Sequence, residues 1–174
     1  PAWAAAASAI SQHVSPLSLE AYLPQHLGNH VAPHSTVVTT LVNLLHAGRW
    51  RSAGHTPHLV LGHSIGEVAA AYVAGLLSVD QTIQTAHVLG RLGAQCAGAM
   101  LHVRLTPVEV SEWHDAALCV AAVNGVASTD MESCTLLSVT LCGPSAIVAG
   151  WHATHPDATM LVPPHPWHHP MYLN

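Results

Sequence analysis

The sequence predicts an α/β protein that is divided into two parts. The first part is indicated by a short apolar run at 58–61, typical of a buried parallel strand, which precedes an alanine-rich helical stretch at 67–77. The second part is indicated by strand-like and helix-like segments that alternate between residues 100 and 162. The chain has 174 residues, of which 50% are hydrophobic, so it can bury a sizeable core.

Helices dominate the first part. Apolar residues recur at helical spacing at Val37, Leu41 and Leu44, and they predict a helix over 35–50 with Ser35 as its N-cap. The stretch 67–77 is apolar nearly all round, so we expect that helix to pack between layers. Ser78 is placed to cap a further helix over about 80–94, and a short helix is expected near 18–23.

The second part has a regular order of elements. We predict strands at 100–105, 118–123, 136–142 and 159–162, and helices at 107–114, opened by Thr106, and 144–155. The second strand is expected to end at an Asn124-Gly125 turn. The order β-α-β-β-α-β is the split pattern of a ferredoxin-like unit. We therefore expect a first domain over 1–98, this subdomain over 99–163 and a return segment over 164–174.

Charge and hydropathy exclude two classes of protein. Four arginines, no lysine and nine acidic residues give a net charge of -5, which excludes sequence-independent nucleic-acid binding. No apolar run approaches the roughly 20 residues that a membrane span needs. No export signal precedes the first apolar segments, so we expect a cytoplasmic location and a piece cut from a longer chain. The cysteines Cys96, Cys119, Cys134 and Cys142 contain no CxxC pair, so free buried thiols are expected.

One segment carries a chemical signature. The string LGHSIGE, at residues 61–67, places Ser64 between Gly62 and Gly66 at a strand-to-helix corner, which is the arrangement of a nucleophile elbow. Both glycines are expected to let the strand and the helix approach each other while the serine hydroxyl projects outward. The N–H of Ile65 is then placed to stabilise an oxyanion. The alternative interpretation is an ordinary helix-capping serine.

A serine nucleophile needs a base, and imidazole has a pKa suited to that role. We select His168 from the sixteen histidines because a proline-stiffened segment follows a predicted strand there. His63 adjoins Ser64, but its side chain is expected to point away from the hydroxyl and to line the site. A zinc site at His165, His168 and His169 is disfavoured because no carboxylate or thiol lies nearby, and no metal or bound cofactor is expected.

The string GHSIGEVAAAYVAGLLS, at residues 62–78, resembles the acyltransferase domains of modular polyketide synthases and the related malonyl-CoA:acyl-carrier-protein transacylases of fatty-acid synthesis. The resemblance continues through GAMLHV at 98–103, AAVNG at 121–125, CGPSAIVAG at 142–150 and HPWHHPM at 165–171. The family's N-terminal FPGQGxQ strand is not found, so we expect an incomplete fragment.

That resemblance implies a fold and a reaction. The fold is an α/β-hydrolase-like core with an inserted ferredoxin-like subdomain. The reaction is a ping-pong transfer of an acyl group from acyl-CoA, through an ester on Ser64, to the phosphopantetheine thiol of an acyl carrier protein, with His168 as the base. The implied partners are the carrier protein, acyl-CoA and neighbouring domains of a larger synthase.

The resemblance also assigns residues that bind substrate. His165 and Trp167 in the motif HPWH, together with Ile65, resemble malonyl-selective members, and Trp167 would crowd an α-methyl group. The family holds the malonyl carboxylate with an arginine at a position where ungapped counting gives Leu89. Arg91 lies two residues on, about 200° around a helix, so it serves only if the helix is shifted or irregular. Without an arginine, a neutral acyl group such as acetyl is the alternative.

Three further interpretations stay open. Asn124 is similar to the asparagine that lines the family's site, although a simple turn role is the alternative. A serine hydrolase with the same elbow would need an acid between serine and histidine in the chain, and Asp130 and Asp157 are available. A non-catalytic domain kept for docking is the third possibility.

Overall fold

The computed structural model describes residues 32–129, 135–162 and 165–170, so the predicted helix near 18–23 lies outside the described residues. The chain forms two compact units, with the boundary between Leu92 and Gly93. The elements of unit 1 are α1 (His34–Ser52), α2 (Gly66–Val73) and most of α3 (Val79–Ala94). Those of unit 2 are β1 (Ala99–Leu105), α4 (Pro107–Ser111), β2 (Cys119–Thr129), β3 (Thr135–Gly143), α5 (Ser145–Thr154) and β4 (Thr159–Met160). The chain is thus an α/β protein, as predicted.

The predicted apolar stripe of α1 is confirmed as the centre of the core of unit 1. Val37 and Leu41 are fully or almost fully buried and pack with Ala69 of α2 and Ile83 of α3. Burying one such aliphatic side chain stabilises a fold by about 1.5–3 kcal/mol. Ser35 is not the N-cap, because α1 begins one residue earlier, at His34.

The first turn of α1 lies against the backbone of α3. The hydroxyl of Thr36 donates to the carbonyl oxygen of Ala86 at 2.8 Å. A Cβ on Gly90 would lie 2.7 Å from the Cα of Pro33, so only glycine fits at this crossing. The contact between these two helices therefore depends on residues that are 50 or more positions apart in the chain.

The predicted cap of α3 is confirmed. The N–H of Gln81 donates to the Ser78 hydroxyl at 3.2 Å, and the N–H of Ser78 donates to the Gln81 side-chain oxygen at 2.9 Å. This reciprocal pair is a capping box, and it satisfies two N–H groups that the first turn of a helix leaves open.

Two expectations around α2 are wrong. Residues 58–61 form no strand, and Leu59 and Leu61 are 75% and 84% exposed, because no described segment lies alongside to pair with them. α2 is shorter than predicted and ends at Val73, before Gly75 at φ +80° turns the chain. Within α2 only Val68 and Ala69 are buried, so this helix buries one face rather than its whole surface.

Unit 2 is a four-stranded antiparallel sheet in the order β2-β3-β1-β4. The chain passes through its elements in the predicted order β-α-β-β-α-β. Alternate residues of β1 and β3, including Leu101, Val139 and Leu141, share one core with Val148 of α5. This apolar alternation is the period-2 pattern of a sheet with one covered face.

The second strand differs from the prediction. β2 runs through Asn124 and Gly125 to Thr129 instead of turning there. The strand register shifts between Val123 and Gly125, and Gly125 has φ +130°. The Asn-Gly pair therefore forms a bulge inside a strand, a role that glycine also permits.

The other elements of unit 2 are confirmed with bounds that differ by a few residues. α4 ends at Ser111 and β4 at Met160. The expected buried free thiol is found at Cys142, whereas Cys96 and Cys119 are half-buried and Cys134 lies outside the described residues. No helix in the described part of the chain combines the length and apolar composition that crossing a bilayer requires.

Thr106 opens α4 with a capping box. Its backbone N–H and its hydroxyl donate to the carboxylate of Glu109 at 2.7 and 2.8 Å, and its hydroxyl accepts from the Glu109 N–H at 3.2 Å. These hydrogen bonds favour the ionised carboxylate, so they hold the pKa of Glu109 below its ordinary value of 4.5.

A lowered carboxyl pKa stabilises the folded state above the pKa of the unfolded chain, and this stability is lost as pH falls through the folded pKa. We expect the urea midpoint of the wild type to fall below about pH 4.5 more steeply than that of Glu109→Gln. The control Thr106→Ser keeps the hydroxyl and should retain the wild-type profile. Parallel profiles for wild type and Glu109→Gln would contradict the assignment.

Candidate functional site

Ser64 has the backbone conformation that a nucleophile elbow requires. Its φ is +53°, in the left-handed region that side-chain-bearing residues seldom occupy. His168, at φ +67°, is the one other non-glycine residue with positive φ among those the structure describes. Such strain costs of order 1–3 kcal/mol and concentrates at active sites. The residues selected as nucleophile and base are thus the two with a strained backbone.

Gly62 is required by the corner that Ser64 occupies. A Cβ at this position would collide with the backbone N and Cα of Glu67 and would lie 2.6 Å from the carbonyl carbon of Gly66. The expected close approach is therefore confirmed at Gly62. It is wrong for Gly66, because no described atom lies within 4 Å of a Cβ placed there.

A hydrogen-bonded turn carries the chain from Ser64 into α2. The N–H of Gly66 donates to the His63 carbonyl at 2.9 Å, and the N–H of Glu67 donates to the Ser64 carbonyl at 3.0 Å. Gly66 is the first residue whose N–H donates within this turn. The N–H of Ile65 comes just before it, at the N-terminal, positive end of the α2 dipole. The position suits a donor to an oxyanion next to Ser64.

The segment before His168 packs on two glycines of unit 2. Pro166 is buried, and a Cβ on Gly98 would lie 2.6 Å from the Pro166 Cβ. The indole ring of Trp167 covers Gly93 so closely that no side chain fits there. These contacts anchor the backbone immediately ahead of the candidate base.

The histidines of this segment have different surroundings. The side chain of His168 is exposed. The ring of His165 lies edge-on to Trp167, with centroids 6.1 Å apart, and its buried Nε2 has no hydrogen-bond partner among the described residues. The side chain of His165 is half-buried, and its role in lining the site stays a prediction.

Asn124 is held by the neighbouring strand. Its side-chain N–H donates to the hydroxyl of Thr140 on β3 at 2.9 Å. Next to this pair, the Nε2 of His102 and the hydroxyl of Ser138 lie 2.8 Å apart. Thr140 stands opposite His102 in the strand register, so these four polar side chains form one cluster on the sheet.

The remaining predicted residues are exposed. α3 is an uninterrupted α-helix, so Leu89 and Arg91 point about 200° apart, and a shifted helix is the condition that remains for the Arg91 role. His63 is exposed beside Ser64. Of the two acids considered for a hydrolase, Asp157 is an exposed turn residue and Asp130 lies outside the described residues.

Sequence reasoning missed three residues that hold the predicted site residues of unit 2 and their neighbours. Thr140 orients Asn124, and it could have been found only from the register of β2 and β3. Gly93 and Gly98 accommodate Trp167 and Pro166 across about seventy residues of chain, and no local pattern indicates these contacts. Within the described ranges, no group of three or more metal-ligating side chains lies close enough to hold a metal ion.

Comparison with known proteins shows which proteins this chain resembles. Residues 3–135 match the acyl transferase domain family. Polyketide synthase GfsA of Streptomyces halstedii is 43% identical over 90 residues, which cover 48% of this chain and 1% of that protein. A loading acyltransferase from the avermectin modular polyketide synthase has a TM-score of 0.72 at 28% identity, covering 95% of this chain and 54% of that one.

A solved structure of lower sequence identity shares the fold alone. The malonyl CoA-acyl carrier protein transacylase of Burkholderia pseudomallei has a TM-score of 0.71 at 18% identity, covering 91% of this chain and 56% of that one. The present chain thus spans about half the length of these two solved structures and a small fraction of the curated synthase.

The two glycines beside Ser64 should respond oppositely to substitution. Gly62→Ala forces a methyl group into the start of α2, and we expect it to lower the free energy of unfolding by about 1–3 kcal/mol. Gly66→Ala meets open space at the first residue of α2, and we expect a gain of about 0.5–1 kcal/mol. Urea denaturation measures both, and equal effects of the two substitutions would refute this account of the corner.

Proposed function

Because this chain belongs to the acyl transferase domain family, we propose that it moves an acyl group, malonyl in preference, from CoA to the phosphopantetheine thiol of an acyl carrier protein. The observation that carries this proposal is the left-handed Ser64 at the start of α2, behind a glycine that admits no side chain. The setting is polyketide or fatty-acid synthesis, and the proposed partners are the carrier protein and neighbouring synthase domains. The likeness to GfsA, a polyketide synthase, supports this setting.

The proposal extends to the division of the chain into domains. We propose an α/β-hydrolase-like core over residues 1–98, a ferredoxin-like subdomain over 99–163 and a return segment over 164–174 that carries His168. The element order β-α-β-β-α-β and the sheet order β2-β3-β1-β4 support the ferredoxin-like assignment.

The chemistry runs in two half-reactions. In the first, Oγ of Ser64 attacks the thioester carbonyl while His168 takes its proton, and the N–H of Ile65 stabilises the charge on the tetrahedral oxygen. The carbon–sulfur bond then breaks, and CoA leaves with the proton that His168 returns. In the second, the phosphopantetheine thiol gives its proton to His168 and attacks the ester, which restores the Ser64 hydroxyl.

The acyl preference is argued from the residues assigned to the substrate. The bulk of the Trp167 ring is proposed to crowd an α-methyl group, and His165, whose ring lies edge-on to Trp167, is proposed to line the same part of the site. Asn124, held by Thr140, and the exposed His63 complete the proposed lining. A malonyl carboxylate also needs a cation, and we propose Arg91 for it. Because α3 is regular, this role requires the whole helix to be shifted relative to its place in the family.

Intact-protein mass spectrometry of the full-length protein with malonyl-CoA tests the nucleophile. We expect a malonyl adduct on the wild type, none on Ser64→Ala, and formation slowed by a factor of about 10²–10⁴ on His168→Ala. Ser111→Ala and His114→Ala, which change exposed residues of the same types, should acylate like the wild type.

The fate of the adduct separates the alternatives. Passage of the malonyl group to a carrier protein identifies a transferase, whereas continuous release of free malonate without transfer identifies a hydrolase. No adduct on folded wild-type protein identifies a non-catalytic domain and overturns the proposal.

The role of Arg91 is tested by competition between acyl groups. Loss of a charge-assisted hydrogen bond to a carboxylate should reduce malonyl loading of Arg91→Ala by about 10–100-fold and leave acetyl loading unchanged. Arg49→Ala, which removes an exposed guanidinium from the last turn of α1, is the control. An unchanged ratio of malonyl to acetyl loading would exclude Arg91 as the carboxylate partner.

A further inference from the structure

The sheet of unit 2 places two cysteines side by side. Cys119, the first residue of β2, is paired directly with Cys142 of β3 in antiparallel register. Opposed residues of antiparallel strands project from the same face, with Cα atoms about 4.5–5.5 Å apart. A disulfide spans Cα separations of about 4.4–6.8 Å. The register therefore meets the main geometric condition for a disulfide between these strands.

The two thiols are not bonded to each other, and they differ in exposure. Cys142 is fully buried, whereas Cys119 is half-buried, with its Sγ 3.5 Å from the carbonyl oxygen of Ala116. On its other side, Cys142 stands opposite Met100 of β1. A dissolved reagent therefore reaches Cys119 before it reaches Cys142.

Electrostatics supports this proximity. Burial raises the pKa of Cys142 to about 12, and Cys119 adds to the effect. The pKa of Cys119 is raised by burial and then by the negative charge of Asp115. Both thiols are thus mainly protonated at neutral pH, so the small thiolate fraction of Cys119 limits how fast the pair reacts with an oxidant.

We propose that Cys119 and Cys142 are an oxidisable pair that forms a disulfide across β2 and β3 when a low-molecular-weight disulfide such as oxidised glutathione is present. The thiolate of Cys119 attacks one sulfur of the oxidant, which gives a mixed disulfide and releases one thiol. Cys142 then loses its proton and attacks the sulfur of Cys119, and the second thiol leaves. The two cysteines lose two hydrogens in total, and the oxidant is reduced to two thiols.

The bond would link β3 to the first residue of an irregular strand. The pairing of β2 with β3 shifts register three times, after Val120, Val123 and Val126. Cys119 lies before all three shifts, and Asn124 lies among them. A link between residues 119 and 142 removes freedom from the unfolded chain, so we expect oxidation to raise Tm by several degrees. This inference does not depend on the proposed acyl transfer.

The test uses the folded full-length protein and oxidised glutathione. After oxidation, free thiols are alkylated and the protein is digested for mass spectrometry. We expect one linked peptide pair containing Cys119 and Cys142, which is absent from Cys119→Ser and retained in Cys96→Ser. A lasting glutathione adduct on Cys119, alkylation of both cysteines, or pairing of Cys119 with a different cysteine would each overturn the proposal.

A variant of Asp115 tests the order of attack. Oδ1 of Asp115 accepts the N–H groups of Ala117 and Leu118 at 2.8 and 3.1 Å, and asparagine keeps that oxygen while removing the charge. Asp115→Asn should lower the pKa of Cys119 and so speed its reaction at neutral pH, with the difference vanishing at strongly alkaline pH. Equal rates at neutral pH would show that Cys119 is not the attacking thiol.

Discussion

The contact between two backbone segments at Gly62 is the constraint on which the corner around Ser64 depends. Because residue 62 has no side chain, the N and Cα of Glu67 can lie against it, and α2 starts directly after the serine. Val68 and Ala69 then anchor α2 in the core of unit 1. This anchoring offsets the cost of a left-handed serine, so the hydroxyl is held on a rigid corner rather than on a loose loop.

Features of the fold that arise from neighbouring residues could be predicted. The capping boxes at Ser78 and Thr106 close within one helical turn, and the sequence shows both partners. The strand predicted at 58–61 is wrong, because a short apolar run forms a strand only where neighbouring strands pair with it. The turn predicted at Asn124-Gly125 is wrong because the residues that suit a tight turn also suit a bulge, and only the partner strand decides between them.

For the candidate site, too, local sequence predicted some features and missed others. Residue types and spacing selected Ser64 and His168, and the structure finds a strained backbone at both. What the sequence could not reveal is how the flanking residues are held. Pro166 and Trp167 rest on Gly98 and Gly93, and Asn124 rests on Thr140, through contacts between segments far apart in the chain. The pairing of Cys119 with Cys142 is hidden in the same way, since it exists only in the register of β2 with β3.

The two outer strands of the sheet have a consequence for how this chain behaves among other chains. A strand of another chain can pair with an open sheet edge. Exposed apolar side chains favour such pairing, and Val123 and Val126 of β2 are 49% and 61% exposed. The bulges of β2 break the even row of amide and carbonyl groups that an incoming strand would need, and β4, at two residues, offers almost no row at all. The bulges on either side of Asn124 thus also protect this chain from aggregating through the edge of its sheet.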